Sequence, residues 1–260
     1  MSRLAEVFAR ARAQGRCACV PFLVAGDPDQ ATSLAIVQAM GAAGADLLEI
    51  GVPYSDPLAD GPSIVAASQR ALDHGATMAS VLELVAKSPI PAILFTYANP
   101  VIQYGIERLA QELAAAGGYG AIIPDLPLEE TQEIAKVFAR YGLELPLLVA
   151  PTTPPERAQR IVAESQGFVY LVARLGVTGA GVHLHTASIA TQIATLRSYT
   201  NLPIAVGFGI SKPEHVAAIS EIADGAIIGS AFIDAYCAQS SPVAAAREFI
   251  ATMVASTQRA

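Results

Sequence analysis

Lysine is scarce in this 260-residue chain. The lysines are Lys87, Lys136 and Lys212, all on segments read as helices or a helix start. With none in a strand, carbonyl chemistry through a lysine imine lacks its nucleophile. Charged residues make up only 15%, and no charge run or low-complexity tract occurs. The formal net charge of −7 argues against nucleic acid and against an anionic membrane surface, since both call for a basic face. Three cysteines, Cys17, Cys19 and Cys237, are too few and too odd in number for a disulfide framework. They imply a reducing compartment, and the cytoplasm is expected. Cys17 and Cys19 open an apolar run and read as small buried residues rather than a redox or metal pair. His183 and His185 have no third ligand close by, so no metal is expected. No apolar run approaches the ~18 residues of a membrane span. No dinucleotide fingerprint follows a strand.

What is present is one theme, repeated. A short run rich in Val, Ile or Leu ends in a Gly/Pro/Asp/Asn loop, and a segment of helical period follows. Strands are expected near 18–24, 46–51, 91–96, 120–124, 145–149, 167–172, 203–207 and 224–228. Helices are expected near 31–43, 62–86 (broken around Gly75), 105–116, 128–141, 154–164, 187–198, 213–222 and 230–255. Continuously apolar strands are buried on both faces, as in a parallel sheet. Eight strand–helix units in this length fit an α/β fold, a single (β/α)8 TIM barrel covering 1–260 as one domain. The first sixteen residues carry Leu4, Val7 and Phe8 at helical spacing among arginines. They include Glu6 and a single serine, which suits an extra N-terminal helix under the barrel better than a transit peptide. Two helix starts carry strong signals: prolines in Thr153-Pro154-Pro155-Glu156, and a capping box with a proline in Ser211-Lys212-Pro213-Glu214.

Barrel chemistry sits at the C-terminal ends of the strands. The last three ends are rich in glycine: Gly176-Val177-Thr178-Gly179-Ala180-Gly181, Gly207-Phe208-Gly209, and Gly229-Ser230, which opens a helix directly. Glycine lets backbone N–H groups approach an anion, and a helix N-terminus adds a positive dipole end. A phosphate site is expected there. Two acids also stand out. Glu49 interrupts the apolar run Asp46-Leu47-Leu48-Glu49-Ile50-Gly51, where it needs a partner or keeps its proton. Asp60 lies in the long, proline-bearing loop from Pro53 to Pro62. Without a strand lysine or a metal, acid–base work by carboxylates on a phosphorylated substrate remains.

Taken together, Pro21-Phe22-Leu23-Val24-Ala25-Gly26-Asp27-Pro28, the Glu49-to-Pro62 run, Pro124-Asp125-Leu126-Pro127, Gly176-Val177-Thr178-Gly179 and Gly207-Phe208-Gly209-Ile210-Ser211 closely resemble the tryptophan synthase α subunit family. The resemblance covers essentially the whole chain. It implies a lyase that cleaves indole-3-glycerol phosphate to indole and glyceraldehyde 3-phosphate. It also implies a β subunit in an α2β2 heterotetramer, contacted through the Pro53–Pro62 loop. The cofactor pyridoxal phosphate (PLP) would sit on that partner, with none on this chain. By the same resemblance Glu49 delivers a proton to indole C3, Asp60 receives the indole N–H, and Tyr170 stands beside the glutamate. Phe22, Ile122 and Phe208 line the indole pocket, while Thr178, Gly179, Gly209, Gly229 and Ser230 meet the phosphate end. The chain departs from the family's common pattern at Ala173, where serine is frequent. It departs again after Gly179, where Ala180-Gly181-Val182-His183-Leu184-His185 replaces an arginine-containing stretch. Two other readings stay open, a free-standing indole-releasing lyase and a mainly regulatory subunit. Other phosphate-binding barrels, such as sugar-phosphate isomerases, lack the Tyr54-to-Pro62 loop.

Overall fold

The computed structural model describes residues 2–173 and 186–259. Among these lie eight strands: β1 (Ala18–Val24), β2 (Leu48–Gly51), β3 (Ala92–Phe95), β4 (Ala121–Ile122), β5 (Leu147–Val149), β6 (Val169–Val172), β7 (Ile204–Gly207) and β8 (Gly225–Ile228). They form one sheet in the order β4-β3-β2-β1-β8-β7-β6-β5. Every pairing within it is parallel. The two ends of that order meet at a parallel bridge between Gly120 and Glu144. There the Ala121 N–H donates to the Glu144 carbonyl at 3.1 Å, and the Glu144 N–H donates to the Tyr119 carbonyl at 2.9 Å. A Cβ on Gly120 would stand 1.9 Å from the Glu144 carbonyl oxygen, so the seam closes only over glycine. The result is the expected (β/α)8 barrel. All seven residues of β1 are buried, as a strand walled by helices outside and side chains inside must be.

The N-terminal helix Arg3–Ala13 forms the barrel floor. Ser2 caps it by accepting the Ala5 N–H at 2.9 Å. Its buried face is Leu4, Val7, Phe8 and Ala11. The Phe8 ring packs on Phe168 at 5.1 Å between centroids. Gly225 and Gly167 make room for this helix: a Cβ would come within 2.6 Å of Phe8 at the first and 2.7 Å of Leu4 at the second. Arg12 and Arg197 both pair with the buried Asp224 at the foot of β8.

Three helix expectations need correction. The expected helix 105–116 is preceded by another, Ala98–Tyr104, with Gly105 between them at φ 93°. Pro100 falls in the first turn of that helix, where no N–H bond is needed. The expected helix 230–255 is two, Ser230–Cys237 and Pro242–Ala255, because Pro242 can start a helix but not continue one. The expected capping box at Ser211 does not form. The N-cap of helix Pro213–Ser220 is Lys212, without a side-chain bond, so Ser211 lies one residue too early. Its N–H donates instead to His215 Nδ1 at 3.3 Å. Among the described residues no helix is long and apolar enough to cross a membrane.

Truncating the floor should be costly. Phe8→Ala is expected to lower stability by about 3–5 kcal/mol, read as a fall in denaturant midpoint with unchanged slope.

Candidate active site

Along β2 the side chains alternate. Leu48 and Ile50 face the helices, while Glu49 and Gly51 face the barrel interior. Glu49 pairs in register with Phe22 on β1 and Ile93 on β3, so apolar strands flank it on both sides. It is 2% exposed, and among the described residues its Oε1 has no hydrogen-bond partner. Burial first, and the negative charge of Asp60 second, push its carboxyl up to about 8. At neutral pH Glu49 is therefore mostly a proton donor, the state a general acid requires.

Asp60 reaches the same space from the loop between β2 and helix Pro62–Asp73. It is half-buried, and burial raises its pKa, while a hydrogen bond from Tyr97 opposes the rise. The Tyr97 hydroxyl also accepts the Ala59 N–H at 3.0 Å, which anchors the loop one residue before the acid. The Tyr54 ring packs on Tyr97 at 5.3 Å, and Asn99 Nδ2 donates to the Tyr54 hydroxyl at 3.1 Å. The two carboxyls thus differ in surroundings: Glu49 is buried between apolar strands, and Asp60 is half-buried and supplied with a donor.

Both acids open onto one cavity at the C-terminal mouth of the barrel. Its walls are Phe22, Ile64, Phe95, Tyr170, Phe208, Ile210 and Ile227, and its far end is Gly209, Gly229 and Ser230. Two glycines at strand ends make the aromatic wall possible. A Cβ on Gly51 would come within 2.6 Å of the Phe22 ring, and one on Gly207 within 2.2 Å of the Tyr170 hydroxyl. Phe22 meets Phe95 edge-on at 5.7 Å, and Tyr170 meets Phe208 at 6.0 Å. Phe208 holds a left-handed backbone at φ 70°. Such strain costs a bulky residue about 1–3 kcal/mol and gathers at functional sites. Gly229 is the N-cap of helix Ser230–Cys237, so the free N–H groups of that helix begin at the far end of the cavity.

Of the residues singled out from sequence, Phe22, Glu49, Asp60, Tyr170, Phe208, Gly209, Gly229 and Ser230 meet in this cavity. Ile122 does not line it. It is fully buried on β4 beside Phe95. Thr178 and Gly179 lie outside the described residues, as do His183 and His185. Ile64, Phe95, Ile210 and Ile227 line the cavity without having been singled out, and neither was Tyr97. Phe95 and Ile227 lie at or next to strand C-terminal ends, the one sequence signal that points to them. None of the three lysines lines the cavity. Among the described residues no cluster of His, Cys, Asp and Glu could hold a metal. Cys17 and Cys19 are buried packing residues, and burial pushes the Cys17 thiol up to about 12.

A parallel barrel with a protonated acid, an ionisable acid and a helix N-terminus around one apolar cavity defines an acid–base enzyme for an aromatic, anionic small molecule. Residues 8–258 match the family model for the tryptophan synthase alpha chain. The tryptophan synthase alpha chain of Chloroflexus aggregans is 48% identical over 266 residues, covering 100% of this chain and 99% of that relative. The one from Chloroflexus aurantiacus is 50% identical, over 90% of each chain. A Mycobacterium tuberculosis tryptophan synthase structure superposes with a TM-score of 0.92 at 35% identity, covering 100% of this chain and 99% of its own. The alpha chain structure from Legionella pneumophila gives 0.87 at 32% identity, over 99% and 97%. The chain belongs to the tryptophan synthase alpha chain family. That places it among the lyases of tryptophan biosynthesis that cleave indole-3-glycerol phosphate to indole and glyceraldehyde 3-phosphate.

Two titration outcomes test the electrostatics of the acid pair. In Asp60→Asn the neighbouring charge is gone, so the Glu49 midpoint should fall below about 8 yet stay above the ordinary carboxyl value of 4.5, followed by carbon NMR. A carboxyl whose folded pKa is raised adds stability below its unfolded pKa and loses it as pH rises through the folded one. The stability of Glu49→Gln relative to the parent should therefore climb between pH 4.5 and about 8 and level off above it.

Proposed function

We propose that this chain carries out its family's cleavage through Glu49 and Asp60, with the phosphate of indole-3-glycerol phosphate held at Gly209, Gly229 and Ser230. The observation that carries the reading is the buried Glu49 carboxyl, whose Oε1 has no partner among the described residues, in the same cavity as Asp60; burial there favours its protonated form. Glu49 donates its proton to indole C3. The ring becomes cationic, and Asp60 accepts the indole N–H and offsets the charge spreading onto that nitrogen. The bond from C3 to the side-chain carbinol carbon then breaks. Its electron pair returns to the ring and restores indole. The carbinol O–H loses its proton to the Glu49 carboxylate, its oxygen becomes the aldehyde of glyceraldehyde 3-phosphate, and the acid is regenerated. The indole ring is the electron sink, so the step needs no lysine imine. Tyr170, fully buried against Glu49 and pressed on Phe208, shapes the indole face. Thr178 and Gly179, which the resemblance assigns to the phosphate, lie outside the described residues.

The 260 residues act as one barrel domain in the cytoplasm, and the chain works with a tryptophan synthase β subunit in an α2β2 assembly. Leu58, in the Pro53–Pro62 loop, is 87% exposed, and Ile102 is 59% exposed. Leu58 lies on the loop expected to meet that partner, and its exposure leaves it available for the contact. An intact acid pair is more than a purely regulatory subunit needs. PLP belongs to the partner.

Glu49→Gln should cut indole release by at least ~100-fold while inorganic phosphate still binds. Near-normal release would remove Glu49 from the mechanism. In the parent chain kcat/KM should rise with pH as Asp60 ionises and fall through about 8 as Glu49 loses its proton.

A further inference from the structure

Asp27 is a carboxylate that the chemistry does not use, and it is fully buried. It lies in the loop after β1, three residues beyond Val24. Such a charge is stable in a dry setting only when donors surround it. Here Arg70 supplies a fork: Nε donates to Oδ1 at 2.7 Å and an Nη to Oδ2 at 3.1 Å. The Tyr236 hydroxyl donates to Oδ2 as well. The same Arg70 nitrogen reaches Cys237 Sγ at 3.1 Å. These donors sit on two different helices. Arg70 is on helix Pro62–Asp73, which starts two residues after Asp60. Tyr236 is on helix Ser230–Cys237, whose first residue lines the far end of the cavity. A helix is a stiff rod of about 1.5 Å per residue, so fixing one point fixes its tip. Arg70 stands about 12 Å along its rod from Pro62, and Tyr236 about 9 Å along its own from Ser230.

We infer that Asp27 is a positioning residue: by holding Arg70 and Tyr236 together it sets the separation between the Asp60 end and the Gly229-Ser230 end of the site. Asp27 does not line the cavity. Its effect is felt only by a ligand long enough to engage both ends at once. This rests on the proposed reading of the two ends.

The test compares fragments with a spanning ligand. Three probes are titrated against the full chain: inorganic phosphate, indole, and an unreactive indole joined to a phosphate by a three-carbon chain. In Asp27→Asn the two fragments should bind as in the parent, while affinity for the spanning probe and kcat/KM for indole-3-glycerol phosphate both fall about 10–100-fold, the usual cost of an ångström-scale misplacement. Tyr236→Phe keeps the ion pair and loses one donor. It should show a smaller loss of the same kind, and it carries the test if Asp27→Asn does not fold. A spanning probe bound as tightly as in the parent, by a folded variant of either kind, overturns the inference. So does a loss matched by an equal loss for phosphate alone, which would confine Asp27 to the phosphate end. Failure of phosphate or indole to bind the parent chain at all would instead count against the two-ended site.

Discussion

A side chain pointing inward from the second residue of β2 enters a space walled by strands and largely hidden from solvent. Glu49 is that side chain, and its lack of solvent governs the rest of the site. Outside the barrel its carboxyl would ionise well below neutral pH. Inside, with apolar neighbours in register on β1 and β3, ionisation is opposed, and the negative Asp60 opposes it further. Burial raises the Asp60 carboxyl as well, but Asp60 is only half-buried and the donor from Tyr97 opposes the rise. One barrel mouth therefore holds two carboxyls in unlike surroundings.

The aromatic wall depends on what is missing at two backbone positions. Gly51 and Gly207 occupy the interior-facing ends of β2 and β7, where any side chain would collide with Phe22 or Tyr170. Two rings are thereby seated deeper than a regular strand would permit. The left-handed Phe208 brings a third ring across the rim. Packing here competes with backbone comfort, and packing wins.

Much of this could be read from the residues alone, for identifiable reasons. Strand positions follow from continuous apolar runs, which parallel burial demands, and the barrel follows from their number and spacing. The ends are trimmed: β4 keeps only Ala121–Ile122 of the expected 120–124. Helix Ala98–Tyr104 was hidden by Asn99-Pro100, and the break before Pro242 by apolar spacing that continues on both sides of it. Glu49 was visible because a charge inside an apolar strand is anomalous. Ile64, Phe95 and Ile227 were not, since an apolar residue facing the cavity and one facing the core look identical in sequence. Tyr97 and the Asp27–Arg70–Tyr236 group were equally hidden. Their roles arise from contacts across 37 to more than 200 positions of chain, and no local pattern marks them.

The floor laid by Leu4 and Phe8 has a bearing on traffic. Among the described residues that floor closes the base of the barrel, and the cavity lies at the opposite end, so substrate and products are expected to pass at the rim. Leu58 stands beside that rim, on the loop that carries Asp60. A protein seated on Leu58 would occupy the threshold, and a departing indole would meet it before it met solvent.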